Sequence, residues 1–178
     1  MPLPDPLPPR FEATLHGRVR AAIEHSVLDG DRQTFTAPPD GEHLTIRAEV
    51  DREAGTLRIT RFPPVEDRVD TAIGSVRAVV TVEGEPEGTF ADATGHVSVE
   101  APVHVEPKSL LASDSDLTVT LRTDGALDQP DLEAQGDPLD DGDRTVRLVG
   151  QGTFRGGSLD GGTMWIAVDC ELVSVEER

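Results

Sequence analysis

The chain has 178 residues, 36% of them hydrophobic, which suits one domain with a sizeable core. Its 34 acidic and 16 basic residues leave a net charge of -18, and such a surface repels phosphate backbones and anionic headgroups, so neither nucleic acid nor a membrane is expected as a partner. The single cysteine, Cys170, excludes an intramolecular disulfide and a cysteine metal cage.

The opening MPLPDPLPPR holds five prolines, so residues 1–10 read as an extended, disordered tail. It has no apolar core of the secretory kind, and nowhere do 18 apolar residues run together. The default expectation is a soluble cytoplasmic protein, in which residues 11–178 form a single β domain.

From Phe11 the pattern is two-fold: Phe11, Ala13, Leu15 and Val19 alternate with Glu12, Thr14, His16 and Arg18. Leu15, Val19, Ala22, Ile23 and Val27 also fit a helical stripe ended by Gly30. A long strand is the preferred reading. Residues 32–37 form a short strand before the turn signal APPDGE. Residues 44–50 and 56–62 alternate around DREAG and predict a hairpin, stopped by Pro63 and Pro64.

Val65, Val69, Ala72 and Ile73 follow helical spacing behind Pro64, which predicts one short helix near 64–74. Alternation resumes at 76–82 and again in HVSVEAPVHVE, residues 96–106, where Pro102 suggests a sheet edge. One helical turn is expected in PKSLLASDSD, then a strand at 117–121. Residues 124–143 carry eight carboxylates and almost no apolar anchor, and read as an acidic, flexible loop. A last hairpin, 144–154 and 163–175, surrounds RGGSLDGG.

Roughly eight or nine strands at short spacing indicate an all-β fold, and glycines inside strands (Gly150, Gly152) favour a closed antiparallel barrel over the alternative, a β-sandwich. EGTFADATGHVSV (87–99) and QGTFRGGSLDGGTMWI (151–166) share a strand-ending Gly-Thr-Phe, a small-residue turn and a return strand. Two hairpins with one turn solution explain this more simply than duplication. Over 87–95 and 151–157 the pattern resembles the calycin-like barrels, including allene-oxide-cyclase-like and dirigent-like proteins. That resemblance implies a barrel and assigns no functional residue.

His96, Ser98, Glu100, Pro102, His104 and Glu106 share one strand face. His96 and Glu100 are about 13 Å apart along a strand, so the face cannot close one metal site by itself. His104 and Glu106 are near enough for an acid/base pair, and His16 and Asp169 are the other candidates for an inward ionisable group. Asp137, Asp140, Asp141 and Asp143 are hard oxygen donors around Gly142, but their spacing is not that of a calcium loop, and a solvated acidic loop explains them. Cys170 falls on the apolar phase of the last strand and reads as an inert buried thiol.

Fifteen of the 16 basic residues are arginine, Lys108 being the exception. A salt-rich cytoplasm and a G+C-rich genome both produce that balance. There is no tyrosine and one tryptophan, Trp165, so base and sugar stacking are disfavoured, and no cofactor motif occurs. Three functions stay open. The first is a non-catalytic barrel holding a small apolar molecule. The others are a cofactor-free cyclase or isomerase with inward acid/base groups, and a self-assembling protein that pairs through a strand edge.

Overall fold

The computed structural model describes residues 7–39, 41–92, 95–123 and 145–178. Among these residues eleven strands form one antiparallel sheet, and eight of them close into a barrel. They are β1 (Arg10–Glu24), β2 (Arg32–Ala37), β3 (Leu44–Asp51), β4 (Thr56–Arg61), β5 (Val65–Thr71) and β6 (Gly74–Val82). The remainder are β7 (Glu87–Ala91), β8 (His96–Pro107), β9 (Ser115–Arg122), β10 (Thr145–Thr153) and β11 (Thr163–Glu177). The barrel runs β1-β3-β4-β7-β8-β9-β10-β11 and returns to β1, while β2, β5 and β6 lie off that ring.

Two long strands change neighbours halfway. β1 pairs with β3 over Arg10–Gly17 and with β2 over Val19–Glu24. β8 pairs with β7 over His96–Val99 and with β6 over Ala78↔Pro107 to Val82↔Val103. One end of the wall is therefore β3-β4-β7, and the other is β2, β5 and β6, with Leu28 bridging to Thr71. Pro102 falls in the gap between the β7 and β6 ladders, where its missing N–H leaves no ladder bond unmade, and its carbonyl accepts from Glu83 N–H at 2.9 Å. The sheet edge expected from this proline is not there: β8 is paired on both sides.

The barrel closes on glycine. A Cβ on Gly150 would lie 2.3 Å from the Thr120 carbonyl oxygen, and one on Gly152 would lie 2.4 Å from that of Thr118. On β7, a Cβ on Gly88 would meet the Ser98 oxygen at 2.1 Å. Backbone crosses backbone at these corners, with no room for a side chain. The Gly-Thr-Phe echo thus has a physical content, since Gly88 and Gly152 both sit on a neighbouring strand. Phe154 is fully buried beyond its corner, whereas Phe90 is half-buried.

The helix expected near 64–74 is a correction: this segment is β5 and the turn into β6. Val65 and Val69 are four apart, a spacing that serves a strand as well as a helix. Both are buried, paired with Val80 and Val76 of β6. Ala72 and Ile73 make the turn, followed by Gly74 at φ +133°. No helix forms in 107–114 either; Ser109–Leu111 turn, and the Ser113 N–H donates to Ser158 Oγ at 2.9 Å.

The long-strand reading of Phe11 onward holds, and the competing helical stripe has a cause. Ala21, Ala22 and Ile23 are all buried because both sheet faces are covered there. Inside is the main core, and outside Ala22, Val149 and Ala167 pack against Trp165. The proline-rich tail lies mostly outside the described residues, but Leu7 packs on the core and Arg10 opens β1. No helix among the described residues is long and apolar enough to cross a membrane.

Candidate functional site

Inward-facing side chains leave two apolar cavities, one toward each end, the second walled partly by β5 and β6. The first, about 310 Å³, lies at the end where β1 begins. β1 contributes Phe11, Ala13 and Leu15, β3 contributes Ile46, Ala48 and Val50, and β11 contributes Val168, Cys170 and Leu172. Phe62, Phe90 and Leu148 complete much of the wall, and Leu7 also lines it. Arg52 holds that last residue, donating from its guanidinium to the Leu7 carbonyl while pairing with Asp92 at 2.6 Å.

The second cavity, about 230 Å³, lies at the far end, among Ile23, Leu28, Val69, Val76, Val105 and Leu159. Its rim includes Val27, Ile73 and Leu111, all exposed. Between the two, Val19 and Ala21 of β1 and Val99, Ala101 and Val103 of β8 line neither cavity and are almost completely buried. These small residues fill the waist, where opposite walls come close enough to pack.

Among the described residues, the larger cavity is lined by no ionisable side chain except the Cys170 thiol, which burial pushes up to about 12, the Asp169 carboxylate adding to the rise. Gly17, the register partner of Cys170, faces it: a Cβ there would lie 3.2 Å from Sγ and 2.9 Å from Ile46 Cδ1. Water needs two to four polar partners to stay in a cavity, and none of these side chains offers a strong one. The space favours an apolar occupant.

None of the four acid/base candidates lines either cavity. His16 stacks on His43, ring centroids 3.7 Å apart. Asp169 accepts from Arg20 Nε at 2.8 Å and Arg147 Nε at 2.6 Å, a structural tie across β1, β11 and β10. Glu106 pairs with Lys108 Nζ at 2.6 Å and is not bonded to His104, so the expected His104–Glu106 pair does not form. Side chains two apart on a strand stand about 6.6 Å apart, and cross-strand neighbours are closer.

His104 turns instead to β9. Its Nδ1 is 2.6 Å from Asp116 Oδ1 and its Nε2 is 2.9 Å from Asp114 Oδ2. The hydrogen bond to Asp116 is the chief reason the imidazole pKa is raised; burial opposes the rise, and Asp114 adds to it. Alternation would not reveal these partners, because Asp114 and Asp116 reach His104 only through the β8–β9 register. Their one signal is the alternating acid of SDSD ahead of a strand. Asp137, Asp140, Asp141 and Asp143, and with them the acidic loop, lie outside the described residues.

In comparisons with protein-family models, curated proteins and solved structures, none matches this chain.

Proposed function

We propose that this chain is a non-catalytic binding barrel that holds a small apolar molecule in the larger cavity. The observation that carries this reading is a space of about 310 Å³ walled by aliphatic and phenyl side chains. That volume falls at the lower end of small-molecule pockets, roughly 300–1,000 Å³, whereas the second cavity, at about 230 Å³, falls below it. With no charge or strong hydrogen-bonding side chain among the described residues of the wall, selection is by size and shape. The ligand class is a compact hydrocarbon-like molecule with few polar atoms. A cyclase or isomerase of the cofactor-free type is the poorer reading, since His16, His104, Glu106 and Asp169 all lie away from the interior.

A neutral naphthylamine dye tests this, because an anionic probe would be repelled by the net charge of -18. The dye should brighten saturably with one molecule per chain. Ala48→Phe and Ala13→Leu, which place bulk inside the larger cavity, should each abolish the response while circular dichroism keeps its β signature. Undiminished dye binding in both folded variants, or no saturable binding by the natural chain, overturns the reading.

A further inference from the structure

The outer face of β6, β8 and β9 gathers a second group of side chains, unrelated to the cavities. Asp116 is the register partner of His104, and Val82 is that of Val103, so Glu83, the next residue after β6, arrives beside His104. The Glu83 N–H bonded to Pro102 fixes that approach. One donor atom from each of Glu83, His104 and Asp116 lies within 4.8 Å of the others. We propose that Glu83, His104 and Asp116 form a binding site for a divalent first-row transition-metal ion of the zinc type.

The donor set chooses the class of ion. Calcium takes six to eight oxygens and magnesium keeps most of its waters, whereas an imidazole beside two carboxylates suits zinc and its neighbours. Bonds of about 2.0–2.2 Å in a tetrahedron put donors roughly 3.4 Å apart, so His104 Nδ1 and Asp116 Oδ1, now 2.6 Å apart, must open by about 0.8 Å as an ion replaces their hydrogen bond, and Glu83, within 4.8 Å of both, must settle at the same spacing. Glu83 and Asp116 are exposed and free to make that adjustment. His104 is better held: it is 27% exposed and stands on a strand hydrogen-bonded on both sides.

On binding, the metal takes the imidazole nitrogen lone pair, and any proton held there leaves to solvent. Asp114, now 2.9 Å from Nε2, remains to orient the ring from its other nitrogen. Arg155 lines the same hollow, so three carboxylates face one nearby guanidinium and the group keeps a negative excess for a dication. A fourth coordination position is left to water.

Cobalt(II) titration of the chelator-stripped full chain tests the site, because tetrahedral cobalt reports itself by its visible absorption. The titration is run in excess Mg²⁺ to saturate diffuse binding to the acidic surface, and zinc should then displace the cobalt. One ion per chain is expected. His104→Ala and Asp116→Asn should weaken binding about tenfold or more, while His43→Ala, which removes the ring stacked on His16, leaves it unchanged. Equal binding by the natural chain and His104→Ala overturns the site. So does loss on His43→Ala instead, or binding that excess Mg²⁺ removes.

Discussion

Arg20, 4% exposed, places its Nε 2.8 Å from Asp169 Oδ2 on the neighbouring strand. The second carboxylate oxygen of Asp169 takes Arg147 Nε at 2.6 Å, so one acid ties three strands on the outside of the barrel. Desolvating an arginine is tolerable only beside such a partner.

Asp169→Asn keeps the shape and removes the charge. About 3 kcal/mol of stability should be lost, because buried Arg20 and half-buried Arg147 both lose the negative charge that their Nε atoms face. Urea unfolding measures it: the midpoint falls by roughly 1–2 M at an unchanged slope. A shift of a few tenths of a molar would mean the pair contributes little.

Closure by glycine predicts an ordering of substitutions. Gly152→Ala sets a methyl 2.4 Å from the Thr118 oxygen, which is backbone and cannot swing aside. The expected cost is about 3 kcal/mol or more. Gly84→Ala meets nothing within 4 Å and bears only the strain of φ +67°, about 1 kcal/mol. Chemical denaturation of both variants should keep that order; equal costs would show that the β9–β10 crossing yields easily.

The only cysteine makes Cys170 readable without ambiguity. In the folded chain its thiol, raised to about 12 by burial, should ignore a disulfide reagent at neutral pH, and unfolding in guanidinium should release one thiol per chain. Rapid labelling of the native protein would show that the first cavity opens readily.

The same thiol gives a pH dependence. Unfolded, it ionises near 9.0; folded, near 12. Below pH 9 both states hold the proton and stability is unaffected. Between about 9 and 12 only the folded state holds it, so stability falls as pH rises, by up to about 1.4 kcal/mol per unit. With no tyrosine and one lysine, few other side chains titrate in that window. Cys170→Ala should flatten the slope of unfolding free energy against pH there. An unchanged slope would assign it to another group.

A net charge of -18 on 178 residues predicts salt dependence. Screening shortens from about 10 Å at 0.1 M to about 3 Å at 1 M, relieving repulsion among the carboxylates. The melting temperature should rise with potassium chloride, each kcal/mol regained being worth about 2–4 °C. A falling melting temperature would mean that the arginine–carboxylate pairs outweigh the repulsion.

Most of the strands, their inward phase, the buried thiol and the acidic charge are determined by the sequence alone, because period-two alternation and composition are local properties. Phe11, Ala13 and Leu15 line the cavity on the phase that their alternation assigns. Glycines inside strands likewise signalled closure. Tertiary structure decided the rest. Val65 and Val69 satisfy two periods, and only pairing with Val80 and Val76 selects the strand. His104 and Glu106 share a face, yet it is Asp116 from β9 that bonds the imidazole and Glu83 from beyond β6 that comes within 4.8 Å of both, through registers that no single strand encodes. Alternation determines which way a side chain points. Which residue it meets depends on hydrogen-bonded neighbours distant in the chain, and these are settled only when the barrel closes.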